Sequence, residues 1–168
     1  AVSNLVKKKV AKIISVSCDP TSFGLLAPPA QCGVDIAVGE GTGIGNLPCF
    51  GGPGVGYFAT KNKWVRQMPG RLVGEAVDSD GKKGYVLTLA TREQHIRRER
   101  ATSNICTNQA LCALAFTIHS VLLGPSGFKE LAVQCYKRTK YLANILSELG
   151  IKRRFSVKSF YNEVVVEM

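Results

Sequence analysis

Apolar and polar positions change rhythm several times along the chain. Residues 10–18, VAKIISVSC, form a short apolar, β-branched run that stops at Asp19-Pro20. A run of that kind predicts a buried parallel strand ending at a loop. A polar stretch through Pro28-Pro29 leads to a second short strand, Val34 to Val38. Val55 to Ala59 predicts a third, and Lys61 to Met68 a short helix halted by Pro69-Gly70. Arg71 to Val77 and Gly84 to Leu89 read as the arms of a hairpin around Asp78-Ser79-Asp80-Gly81, with Gly81 supplying a positive φ. After Arg92 the period becomes helical. Leu111, Leu114, Ala115, Ile118 and Leu122 share one face of a helix ending at Gly124-Pro125. A second helix, from about Ser126 to Gly150, carries Phe128, Leu131, Ala132, Cys135, Leu142, Ile145 and Leu149 on one stripe. Tyr161 to Met168 predicts a final strand, apolar at Val164, Val165 and Val166.

Short strands followed by helices indicate an α/β architecture. The chain opens almost directly into a core strand and closes inside another. An unpaired apolar strand at a terminus would leave a free edge, so the expectation is a fragment of a larger enzyme.

Between the second and third strands, Gly39 to Gly56 has glycine at eight of eighteen positions. Such a stretch holds no core of its own, but its backbone can approach a ligand or another chain closely. The run Gly39, Gly41, Gly43, Gly45 lacks the G-x-G-x-x-G of a dinucleotide turn and the G-K-[ST] of a phosphate-binding loop, which disfavours a nucleotide-dependent oxidoreductase. A tight connection between strands and a loop lining a site built with another chain both remain open.

The formal charge is +10 over 168 residues. Its basic residues are dispersed without interleaved aromatics, so no stacking platform for nucleic acid is evident; an acidic protein partner or an anionic cofactor accounts for the charge equally well. A nucleic-acid module would instead show binding that weakens steeply with salt. Six cysteines (Cys18, Cys32, Cys49, Cys106, Cys112, Cys135) form no C-x-x-C pair and lie among apolar or small residues, so buried thiols are expected rather than disulfides. No metal site is expected, because neither His95 nor His119 has a ligand at zinc spacing. No run suggests a membrane span. His119, inside an apolar helix, reads as a packed histidine rather than a base.

Arg92 to Arg100, REQHIRRER, runs into Ala101-Thr102-Ser103-Asn104-Ile105-Cys106-Thr107-Asn108-Gln109. Guanidinium groups beside a helix start suit an anion; a solvated charged turn followed by an ordinary N-cap at Ser103 or Asn104 fits the same residues.

Those residues also carry a resemblance. VDIAVGEGTGIGNLPCFGGPGVGYFAT, RQMPGRLVGE, REQHIRRE and ATSNICTNQA are long, unusual strings that closely resemble the glycine decarboxylase (P-protein) family of the glycine cleavage system, specifically its amino-terminal half, which many bacteria make as a separate subunit. The match runs from about Ala11 to the end. One departure is Asn46-Leu47-Pro48-Cys49, where the family more usually places the proline one residue earlier.

The resemblance implies a partial aminotransferase-like type I fold of pyridoxal-phosphate enzymes, α/β with a mostly parallel sheet and flanking helices. Residues 1–100 would be the later part of the large α/β domain, including the glycine loop and the 71–89 hairpin. Residues 101–168 would be the connecting helices and the start of a small α+β domain. It implies glycine decarboxylation with aminomethyl transfer to the lipoyl arm of an H-protein, on pyridoxal phosphate held mainly by glycine dehydrogenase subunit 2 or by the carboxy-terminal half of a fused chain. No catalytic residue is expected in this chain, and no bound cofactor. A Schiff base needs a lysine; none lies between Lys12 and Lys61, and the matching position offers only Thr42 and Gly43. Asp19 is similar to the aspartate that meets the pyridine nitrogen in cofactor-bearing relatives and is read as a vestige. Arg97, Arg98, Thr102, Ser103 and Asn104 are expected to help finish the partner's site, and Gly51, Gly52 and Gly54 to lie on a loop facing that subunit. The compartment implied is the cytoplasm of a bacterium or archaeon, or the mitochondrial matrix of a eukaryote.

Overall fold

The computed structural model describes residues 13–17, 19–101, 108–155 and 160–167, Arg92 by its backbone alone. The elements in order are β1 (Ile14–Ser17), a 3-10 turn (Pro20–Gly24), β2 (Ile36–Glu40), β3 (Gly56–Thr60), a 3-10 turn (Asn62–Gln67), β4 (Leu72–Val77), β5 (Lys83–Thr88), a helical turn α1 (Gln94–Arg97) flanked by 3-10 turns, and the long helix α2 (Ala110–Glu148). The three strands β1-β2-β3 form one sheet and the β4-β5 hairpin a second.

β1 and β2 pair in parallel, with Ile14 opposite Ile36 and Ser17 opposite Gly39. The glycine at 39 is required by that pairing and by its neighbour: a Cβ there would lie 2.0 Å from the Ser17 carbonyl oxygen and 2.5 Å from the Tyr57 hydroxyl. The parallel strand expected at 10–18 is present, but it is not buried. Ile14 and Val16 are 59% and 71% exposed, because nothing within the described residues covers that face of a three-stranded sheet.

Contacts divide the chain into two compact units, one of Ala1–Phe58 with Ala110–Met168 and one of Ala59–Gln109. Within the second, Leu72 faces Thr88 and Val77 faces Lys83 across the hairpin, and Gly81 has the expected positive φ of +78°. Asp78 shapes the turn, its Oδ1 accepting from the amides of Asp80 and Lys82 at 2.9 and 2.8 Å. The helix expected over 61–68 winds as a 3-10 turn.

In the first unit, α2 bends at Gly124, whose φ/ψ of 59°/−177° leaves the helical region immediately before Pro125. The break expected at Gly124-Pro125 is therefore present, with arms over 110–123 and 125–148. By length and composition α2 could cross a bilayer, and this corrects the expectation that no such run exists. The first arm, however, ends after 14 residues, about 21 Å at 1.5 Å per residue against a hydrocarbon core of ~30 Å.

The first helix stripe needs correcting, and the second holds in part. On the first arm Leu111, Leu114, Ile118 and Leu122 are exposed, together with Val121; Cys112, Ala115, Phe116 and His119 are the more enclosed residues. On the second arm the expected stripe is enclosed at Phe128, Leu131, Ala132, Cys135 and Ile145, with Ala143 also buried, whereas Leu142 and Leu149 are exposed. Small residues win the contact face because the backbones approach closely: a Cβ at Gly24 would meet the Phe128 carbonyl oxygen at 2.6 Å and the Ala132 Cβ at 2.7 Å. The final strand expected over 161–168 is replaced by a single antiparallel bridge, Arg153 to Val166. Among the described residues it pairs with the short run after the helix, Arg154 N–H donating to the Val165 carbonyl and Glu167 N–H to the Lys152 carbonyl. The buried thiols also need revising. Cys32 and Cys49 are exposed, Cys112 and Cys135 half-buried, and all four are free; Cys18 and Cys106 lie outside the described residues.

Candidate functional site

In an open parallel sheet, ligand-facing residues gather beyond the carboxyl ends of the strands. Here that edge holds one carboxylate from each parallel strand, Asp19 just after β1 and Glu40 closing β2. Both are committed to the chain's own backbone.

Asp19 caps the turn Pro20–Gly24. Its Oδ1 accepts from the Thr21 amide at 2.8 Å and the Thr21 hydroxyl at 2.6 Å, and its Oδ2 accepts a short bond from the Asn162 amide. Thr21 Oγ1 also lies 3.0 Å from the Tyr161 hydroxyl. Residues some 140 positions apart are thus joined in one half-buried network. Burial pushes the Tyr161 phenol above its ordinary range against an opposing bond from Thr21, and the nearby Cys135 and Asp19 push it the same way. Asp19 stands close to the glycine loop: a Cβ on Gly43 would lie 3.6 Å from its Oδ1.

Glu40 staples the base of that loop. Its Oε1 accepts from the Thr42 hydroxyl in a short bond, from the Thr42 amide at 2.9 Å and from the Val55 amide at 3.2 Å, while Gly41 N–H donates to the Val55 carbonyl at 2.6 Å. The Thr42 hydroxyl, then the Thr42 amide, hold the Glu40 carboxyl below the usual carboxylate range, with the amides of Val55 and Gly41 adding to them.

Inside the staple the loop has two halves. The first is packed. Ile44 is fully buried, and Asn46 Nδ2 donates to the carbonyls of Ile44 and Cys112 at 3.1 and 3.2 Å. Gly45, at φ +72°, sits so near α2 that a Cβ would be 2.7 Å from the Ala115 carbonyl and 2.8 Å from the Cβ of His119. His119 is therefore a half-buried packing residue against the loop, as its apolar setting suggests. The second half projects. Leu47 is 86% exposed and Phe50 113%, more than in an extended reference peptide. Phe50 also takes φ +46°, a region costing a non-glycine residue on the order of 1–3 kcal/mol. No atom approaches within 4 Å of a Cβ placed on Gly51 or Gly52, while one on Gly54 would meet Thr42 Oγ1 at 3.1 Å.

Of the residues expected to reach a partner's cofactor, Arg97 and Arg98 are exposed at the end of α1, and neither pairs with a described carboxylate. Arg98 has φ/ψ of 52°/−124°, unfavourable for any side chain with a Cβ. Thr102, Ser103 and Asn104 lie outside the described residues. Among the described residues no three His, Cys, Asp or Glu side chains gather as metal ligands. Sequence reasoning missed Glu40, Phe50, Tyr161 and Asn162. Glu40 could have been found, since an acid two positions before threonine at a strand end is a capping pattern; the pairing of Asn162 with Asp19 has no local signal.

The family model for the glycine cleavage system P-protein matches residues 2–168. A protein of Rhodospirillum centenum named probable glycine dehydrogenase (decarboxylating) subunit 1 is 59% identical over 161 residues, covering 95% of this chain and 35% of its own length. One of the same name from Rhodospirillum rubrum is 54% identical over 159 residues, again covering 35% of its length. Among solved structures, glycine decarboxylase (P-protein) of the glycine cleavage system in inhibitor-bound form superposes with a TM-score of 0.89 at 42% identity, over 96% of this chain and 37% of that one. The chain thus spans about a third of the length of the relatives it matches.

Proposed function

The chain belongs to the glycine cleavage system P-protein family, and we propose from this that it forms the part of a glycine decarboxylase that carries no cofactor of its own. Pyridoxal phosphate, when bound in the companion subunit or half, supplies the electron sink for decarboxylation. This chain positions and encloses. Residues 1–100 are then the later part of a large type I domain and 101–168 the connecting helices and the start of a small one. Arg97 and Arg98 are assigned to the finishing of the companion's cofactor site, together with Thr102, Ser103 and Asn104 by their sequence alone, and the loop bearing Gly51, Gly52 and Gly54 to the surface facing the same polypeptide. The remaining partner is the lipoyl H-protein that accepts the aminomethyl group. The relatives named above are bacterial, which supports a cytoplasmic enzyme.

One observation carries this reading: the carboxyl edge of the sheet does not fit a resident pyridoxal phosphate. By the resemblance, the tethering amine would be needed near Thr42 and Gly43, and neither side chain carries one. Asp19, the residue suited to a pyridinium nitrogen, has Oδ1 taken by Thr21 and Oδ2 by Asn162.

The test is reductive trapping. The chain is incubated with pyridoxal phosphate, reduced with borohydride and digested for mass spectrometry, with the companion subunit treated in parallel. A phosphopyridoxyl group on the companion alone is expected. One found stoichiometrically on a single lysine of this chain would overturn the assignment.

A further inference from the structure

Tyr161 and Asn162 are neighbours in sequence, and their side chains meet one cluster at the carboxyl end of β1. Asn162 Nδ2 donates to Asp19 Oδ2 in a short bond, and the Tyr161 hydroxyl lies 3.0 Å from Thr21 Oγ1. The direction of the second bond is fixed. Thr21 has a single hydroxyl proton and gives it to Asp19 Oδ1 at 2.6 Å, so Tyr161 donates and Thr21 accepts. Both carboxylate oxygens of Asp19 are thus supplied from residues 161 and 162, one directly and one through Thr21. In a strand, consecutive side chains point to opposite faces. Here the backbone bends at Tyr161 and Asn162, and the bend brings both to the same carboxylate. The segment is fastened on either side of it. Phe160 has the Arg153 guanidinium 5.6 Å from its ring centroid and the Tyr136 ring at 6.3 Å, while Val166 bridges to Arg153.

We infer that residues 160–162 are a built-in occupant of the strand edge: the Asn162 amide and the Tyr161 hydroxyl take the places on Asp19 and Thr21 that a protonated ring nitrogen and a ring hydroxyl would take in a bound ligand. The position supports this, since ligands of open parallel sheets bind beyond the carboxyl ends of the strands. A half-buried carboxylate there needs donors to meet its charge, and in this chain they come from some 140 residues away. A ligand reaches Asp19 only by displacing the segment, and must then replace a hydrogen bond made to a charged group. The inference rests on the proposed function and deepens it. The edge is closed to a cofactor by the chain's own side chains, with Asn162 as the determinant, in addition to lacking a tethering amine.

The experiment uses the full-length chain and pyridoxamine 5′-phosphate, which has the ring nitrogen and hydroxyl but no aldehyde to react with surface lysines. Binding is followed by ring fluorescence and by calorimetry. Asn162→Ala opens Asp19 Oδ2 and should bind about tenfold or more tightly than wild type, the worth of one hydrogen bond to a charged group. Asp19→Asn added to Asn162→Ala should remove the gain. Tyr161→Phe loses only the donor to Thr21 and should gain less; it carries the test if Asn162→Ala does not fold. A folded Asn162→Ala chain that binds no better than wild type, or in its place a Tyr161→Phe chain that shows no gain, overturns the inference and leaves the proposed function standing. A gain that survives Asp19→Asn overturns it too, since the ligand would then sit elsewhere. Saturable binding by the wild type that Asp19→Asn abolishes would overturn both.

Discussion

At the scale of single residues, the chain invests its polar chemistry in holding one strand edge still. Asp19 is joined to Thr21 locally and to Asn162 from the far end of the sequence. Replacing Asn162 by leucine leaves a half-buried carboxylate oxygen without its donor, so urea denaturation should show a loss of about 1–3 kcal/mol; an unchanged midpoint would mean that the bond contributes nothing. Tyr161 makes a second, pH-dependent statement. Its phenol is raised in the folded state, so the native chain holds a proton that the unfolded chain releases from about pH 10. The stability it contributes is complete below that pH and declines as pH rises toward the folded value. Thermal melts of wild type and Tyr161→Phe should therefore diverge from pH 10 upward, with the variant losing less. Asp19 itself was legible in the sequence as a strand-ending residue, because Asp-Pro is a local signal. Its partner was not, because a contact across 143 positions leaves no trace in composition or period.

Individual elements show where periodicity informs and where it misleads. The three strands and the hairpin follow from β-branched runs and an Asp-x-Asp-Gly turn, and β1 and β2 are the parallel pair that such runs imply. The break in α2 was legible for the same reason, since Gly124-Pro125 ends a helix by backbone chemistry alone. Which face of a helix packs is a different matter. Hydrophobic spacing picked out Leu111, Leu114, Ala115, Ile118 and Leu122, yet of these Ala115 alone lies on the contact side, with Phe116 and His119, where loop glycines admit close approach. Gly45 is the most exacting of these. Gly45→Ala must place a Cβ at φ +72° and 2.7 Å from the Ala115 carbonyl, so a loss of at least ~1–2 kcal/mol is expected from the backbone alone. Calorimetric melts that coincide with wild type would show that the loop is not clamped to the helix. By contrast, Leu111→Gln and Leu122→Gln should each shift the stability of this chain by less than about 0.5 kcal/mol, because both side chains already face outward.

For the molecule as a whole, the division of labour inferred above makes function a property of an assembly. The family strings in the middle of the sequence carried that reading before any geometry, whereas the stapled loop and the strained Phe50 required coordinates. Arg97 and Arg98 belong to this scale because neither has a described carboxylate partner within the chain. Replacing both by glutamine should leave the melting temperature unchanged and lower cofactor retention in the reconstituted enzyme by tenfold or more (about 1.4 kcal/mol), read by absorbance after gel filtration; full retention would remove them from the companion's site.

The outward stripe of α2 has a consequence for the life of the polypeptide in a cell. Leu111, Leu114, Ile118, Val121 and Leu122 form an apolar ridge that nothing among the described residues covers, and exposed ridges of this kind mark surfaces that are normally shielded. Left unshielded, such a ridge would expose a newly made copy to aggregation until it is buried.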